Sequence, residues 1–77
     1  RKMKLFVEAI WVEDGGYYRS ESNVPGLHIE AESLTQFEDT MLDVLPDLLA
    51  AQNNDNKKSI PLTFTGSKQK EISVNVA

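Results

Sequence analysis

Apolar residues crowd positions 3–12, MKLFVEAIWV, and alternate strictly with polar ones from Leu27 to Glu32, where Leu27, Ile29 and Ala31 fall on one face and His28, Glu30 and Glu32 on the other. Both patterns predict strands, the second half-buried with a polar outer side. Between them, Glu13-Asp14-Gly15-Gly16 supplies residues that tolerate positive φ, which predicts a hairpin into a second strand over Tyr17–Ser22. Val24-Pro25-Gly26-Leu27 then puts proline and glycine at the two central positions of a type II turn.

The period changes after Ser33. Leu34, Phe37, Met41, Leu45 and Leu48 recur at spacings of three, four, four and three, widened by Val44 and Leu49, with Glu38, Asp39 and Asp43 off the stripe. That predicts an amphipathic helix covering a sheet, opened by a capping box in which Ser33 and Gln36 satisfy free backbone N–H groups. Pro46 predicts a kink or an end near Leu45, followed by a turn to about Ala51. A polar loop over 52–59 and two closing strands, Ile60–Thr65 and Glu71–Val76, complete the expectation. The fold class is therefore α+β: an antiparallel sheet of three strands, one capped helix packed on a face, then one or two C-terminal strands, β-β-β-α-β(-β), as a single domain over 3–77. Arg1 and Lys2, ahead of Met3, are set aside.

Strand parity has a consequence for function. If Leu5, Val7, Ala9 and Trp11 face the helix, then Phe6, Glu8, Ile10 and Val12 share the open face; in the reverse register Leu5, Val7 and Trp11 are left over. Either face is too apolar for bulk water. A partner, a second copy or the C-terminal hairpin must cover it.

Composition narrows the function classes. The chain is 40% hydrophobic and 26% charged, in the ordinary globular range, and no apolar run approaches the roughly 18 residues of a membrane span, so a soluble cytoplasmic protein is expected. Cysteine is absent, which removes disulfides, thiolate metal sites and cysteine nucleophiles; a core this small gains from homo-oligomerisation, and a homodimer or larger assembly is expected. The net charge of −4 conceals an asymmetry: no Lys or Arg lies from Ser20 to Asn56, whereas Glu21, Glu30, Glu32, Glu38, Asp39, Asp43, Asp47 and Asp55 do. Such a field suits a basic partner and disfavours direct nucleic-acid binding.

Catalytic chemistry is poorly supplied. His28 is the sole histidine and reads as a surface residue, with Glu30 at best a weak co-ligand. Ser20, Ser22, Ser33, Ser59, Ser67 and Ser73 have no nearby base, and Gly15-Gly16 is a hairpin turn, not a phosphate loop. Glu8 and Glu21 can face each other on adjacent strands, but two carboxylates on a shallow sheet make a poor metal site. Lys57 and Lys58 are too few for a nucleic-acid patch. No enzyme, cofactor or metal is expected.

The ordered set Gly16-Tyr17-Tyr18, Val24-Pro25-Gly26-Leu27 and Ala31-Glu32-Ser33-Leu34 resembles the HicB-like antitoxin family over Met3–Ala51. It is similar in particular to the short branch, with a helix proline as in Val44-Leu45-Pro46-Asp47-Leu48-Leu49 and a closing strand like Ile60–Phe64. The resemblance implies a partial ribonuclease-H-like sheet and helix without catalytic carboxylates. It also implies a bacterial type II antitoxin that neutralises a small basic HicA-type ribonuclease. No helix-turn-helix or ribbon-helix-helix pattern follows the last strands, so autorepression through DNA is not expected. Arg19 and Glu21 depart from the small or apolar residues common in the family. On this reading the electrostatic contacts are expected at Glu30, Glu32, Glu38, Asp39 and Asp43, and the apolar anchors at Phe6, Ile10 and Tyr17, positions that rest on strand parity and not on a family motif. The alternative is a self-associating adaptor domain with no toxin.

Overall fold

A computed structural model describes residues 4–52 and 59–75, with side chains described for 4–50 and 60–74. The expected polar loop, with Lys57, Lys58 and Asp55, lies outside the described residues except at its ends. Leu5–Val12 (β1) and Tyr17–Ser22 (β2) form an antiparallel hairpin in unbroken register from Val12↔Tyr17 to Val7↔Ser22. Gly16, at φ 70°, closes it by donating its N–H to the Val12 carbonyl at 2.8 Å. Only a residue without Cβ takes that left-handed conformation freely.

The expected type II turn is present: Leu27 N–H reaches the Val24 carbonyl at 3.2 Å and Gly26 sits at φ 84°. The third strand is much shorter than its alternation predicts. Leu27, Ile29 and Ala31 are buried and His28, Glu30 and Glu32 exposed, yet ladder pairing is limited to Glu30–Ala31 (β3). The reason is a side chain: Ser20 Oγ accepts the Ile29 N–H at 2.9 Å while Ser20 N–H donates to the Ile29 carbonyl at 3.0 Å, so a hydroxyl replaces one rung. At the opposite end of the hairpin, beyond the last β1–β2 pair, Asn23 acts as a surrogate peptide group. Its Oδ1 accepts from Phe6 N–H at 2.9 Å and its Nδ2 donates to the Lys4 carbonyl at 2.7 Å. Ser22 Oγ, between them, donates to the Phe6 carbonyl and accepts from Val24 N–H.

The helix Leu34–Gln52 (α1) starts as expected, Ser33 Oγ accepting from Gln36 N–H at 3.1 Å; the Gln36 side chain reaches back one residue further than the usual box, to Glu32 N–H at 3.2 Å. The expected end near Leu45 is not there: α1 runs on through Pro46 to Gln52. Pro46 removes one donor, from the bond that would reach the Leu42 carbonyl. Against that loss, continuation carries Leu49, 5% exposed, onto the same stripe as Phe37, Met41 and Leu45. Such a burial is worth about 1.5–3 kcal/mol, enough to outweigh one missing bond.

Ser59–Thr65 (β4) and Gln69–Asn75 (β5) form a second antiparallel hairpin, with β5 starting two residues earlier than its sequence pattern indicated. β4 pairs in parallel with β1, Leu5↔Leu62 to Glu8↔Thr65, giving one five-stranded mixed sheet in the order β3-β2-β1-β4-β5. Parallel pairing demands a crossover, and α1 provides it. Phe37, Met41, Leu45 and Leu49 bury against Val7, Ile29, Leu62, Phe64 and Val74, with the Phe37 and Phe64 rings stacked at 5.8 Å. This settles the register of β1: Val7 is 0% exposed and the helix takes the odd-numbered face. That cover ends before Trp11, which is 47% exposed and meets Tyr18 edge-on at 4.9 Å.

Candidate functional site

The C-terminal hairpin extends the sheet sideways and leaves the even-numbered face of β1 uncovered. Phe6, Glu8, Ile10 and Val12 form its central row. Directly paired residues in a sheet share a face. The β2 register therefore adds Tyr17 beside Val12, Arg19 beside Ile10 and Glu21 beside Glu8, and β3 adds Glu30 beside Arg19. From the other side, β4 places Thr63 by Phe6 and Thr65 by Glu8, and β5 places Glu71 by Thr63 and Ser73 by Pro61. Phe6 is 39% exposed, and Ile10, Val12 and Tyr17 are half-buried.

The charge on this face is one-sided. Glu8, Glu21, Glu30 and Glu71 are all exposed, and Arg19 is the cation among them. Its Nη1 lies 3.1 Å from Glu21 Oε1, an exposed contact worth less than about 1 kcal/mol. Glu8 stays opposite Glu21 in the middle of the sheet. Like charges directly opposite each other destabilise a strand pair, so this arrangement serves no end in the fold itself. A cationic side chain set between them would relieve it.

The site residues expected from sequence divide between two surfaces. Phe6, Ile10, Tyr17 and Glu30 come together on the open face. Glu32 keeps the exposed parity of Glu30 but lies past the end of β3, its N–H engaged with Gln36. Glu38, Asp39 and Asp43 ride on α1, on the far side of the sheet from the apolar anchors. Glu38 already has a structural partner: its Oε2 lies 2.9 Å from Lys70 Nζ, which sits 5.9 Å from the centre of the Phe64 ring. These residues line an open groove with Leu34, Gly66, Ser67 and Lys68. Glu30 is joined there by three carboxylates not expected as contacts, Glu8 and Glu21 on the β1–β2 hairpin and Glu71 on β5, which the β1–β4 pairing brings in. Strand parity and the hairpin already placed Glu8 and Glu21 opposite each other; Glu71 required the topology.

Elsewhere, His28 is exposed, and Ser20, Ser22 and Ser33 hold backbone groups of turns and caps. Among the described residues no three His, Asp or Glu side chains converge, and no helix is long and apolar enough to cross a membrane.

Fold and surface together define a small α+β protein in which a helix protects one side of a mixed sheet and the other side presents apolar residues among carboxylates. The chain belongs to a family described as a domain of unknown function, DUF1902, which matches residues 4–76. Among solved structures it is similar to a hypothetical protein from the extremely thermophilic bacterium Thermus thermophilus. The two share 25% identity at a TM-score of 0.63, over 91% of this chain and 97% of that one. No curated protein matches.

Proposed function

We propose that this chain is a HicB-like antitoxin: a non-enzymatic cytoplasmic protein that binds a small basic HicA-type ribonuclease and blocks its RNA surface. The observation that carries the reading is the open face, where Phe6, Ile10, Val12 and Tyr17 lie among Glu8, Glu21, Glu30 and Glu71. An RNA-cleaving partner must itself be positive to hold a phosphate backbone, and a negative surface of this kind attracts and orients it. Apolar anchors within a charged rim match the anatomy of protein interfaces. The family's name assigns no role, and the resemblance of the turn and cap motifs to HicB-like chains supplies the partner class.

The test is to pass native lysate over the immobilised chain at low salt, elute with a salt gradient, and assay the eluted proteins for mass and ribonuclease activity. A small basic protein whose RNA cleavage is suppressed by added chain supports the reading. The suppression should fall with salt, since exposed charges are screened over about 8–10 Å at ordinary ionic strength. It should also fall when Glu8 and Glu21 are both changed to Lys, and survive Asp39→Lys on the helix. Retention of the chain by itself alone, unaffected by salt, replaces this reading with a self-associating adaptor domain.

A further inference from the structure

The two edges of the sheet are treated differently. On one side β3 is two residues long and a serine hydroxyl takes the place of a rung at Ile29. Short strands and local irregularities of this kind are how proteins keep an edge from pairing with another chain. On the other side β5 is seven residues long, contains no proline, and keeps an unbroken register with β4 from Ser59↔Asn75 to Thr65↔Gln69, with no bulge. Among the described residues nothing pairs with its outer side. Long, free of proline and in continuous register, with its one lysine, Lys70, already paired to Glu38, it is a template for strand addition.

We propose that two copies of this chain join edge to edge through β5, antiparallel about a two-fold axis at Ile72, so that their sheets run on as one. The strand's own sequence selects the second copy as occupant. Centring the axis on Ile72, the midpoint of Gln69–Asn75, pairs every residue of β5 with the other copy. On the helix side Ile72 meets its counterpart and Lys70 lies beside Val74; on the open side Glu71 lies beside Ser73 and Gln69 beside Asn75. No like charges stand opposite. Moving the axis to Glu71 or Lys70 opposes that residue to its own copy, and moving it to Ser73 leaves Gln69 and Lys70 without partners inside the strand. Ile72 packs at the margin of the core as a half-buried residue, and its counterpart would continue that core across the join.

The axis stands perpendicular to the sheet, so both helices fall on one side and both open faces on the other. The proposal therefore extends beyond the antitoxin reading without depending on it.

The register can be tested with the purified chain alone, by sedimentation equilibrium across a wide concentration range. Mass should rise with concentration from 8.6 kDa to twice that value. Ser73→Glu places a carboxylate opposite Glu71 of the other copy, twice per dimer, and should weaken association roughly tenfold. Glu71→Lys alone should leave it near the original value, and Glu71→Lys combined with Ser73→Glu should restore it by putting opposite charges across the join. Both positions are exposed, and the thermal midpoint of each variant reports whether it folds. Independently of any variant, outward amides of β5 should gain hydrogen-exchange protection as concentration rises. A chain that stays monomeric throughout, β5 amides indifferent to concentration, or a Ser73→Glu defect that Glu71→Lys does not repair each overturns the proposal.

Discussion

Asn23 offers a quantitative test of how the hairpin is finished. Its carboxamide makes two bonds to the start of the β1 segment, accepting from Phe6 N–H and donating to the carbonyl of Lys4 just ahead of the strand. Neutral hydrogen bonds contribute about 0.5–1.5 kcal/mol each, so Asn23→Ala removes at most about 3 kcal/mol. Asn23 is only half-buried and water can reach the freed groups, which puts the expected loss at about 1–2 kcal/mol. For a domain of this size that lowers the thermal midpoint by roughly 5–15 °C. Urea denaturation should show a lower midpoint with an unchanged slope, because the surface exposed on unfolding is the same. Asn23→Asp separates the two bonds: the acceptor for Phe6 survives, while a carboxylate replaces the donor aimed at the Lys4 carbonyl. Amide exchange then locates the effect, with Phe6 N–H exchanging faster in the Ala variant and staying protected in the Asp variant. A Phe6 amide that exchanges equally in wild type and Asn23→Ala would refute the claim that this side chain extends the ladder.

Two further outcomes follow from the helix. Phe37→Ala, at a fully buried position stacked on Phe64, should cost roughly 3–5 kcal/mol by chemical denaturation; a change near zero means the stripe does not pack as described. Pro46→Ala should raise stability by about 1–2 kcal/mol, since it returns a donor for the Leu42 carbonyl in a helix that already has helical geometry there, and a drop in the thermal midpoint would show that the ring's packing matters more.

Much of this was legible from residue patterns because the relevant physics is local. The type II turn needs only proline and glycine in the right order, the N-cap only Ser33 and Gln36, and the polarity of β1 and of Leu27–Glu32 only alternation. Three features were not local. Whether α1 survives Pro46 depended on what Leu49 gains from the sheet beneath it, a tertiary term that no helix propensity contains. The length of β3 depended on Ser20, a residue of the neighbouring strand, taking over a rung. The candidate surface depended on which strands are neighbours: Glu38, Asp39 and Asp43 were grouped with Phe6 and Ile10 by charge, but the sheet lies between them. Glu71, far along the chain, joins the open face because β4 carries β5 in alongside β1.

The parallel β1–β4 pairing also sets how the chain can fold. β1 is central in the sheet yet near the start of the described chain, and one of its sides is satisfied within a few residues by β2, while the other waits for Leu62–Thr65. Phe37 likewise finds its ring partner only when Phe64 arrives. Closing so long a loop before any of these contacts can form slows the search for the native state. A nascent or truncated chain ending before β4 would hold a central strand unpaired on one side and a helix lacking Leu62, Phe64 and Val74 beneath it, so it has no stable intermediate stage to rest in. Folding should therefore be a single late event, with the closing hairpin as the part that commits the whole chain.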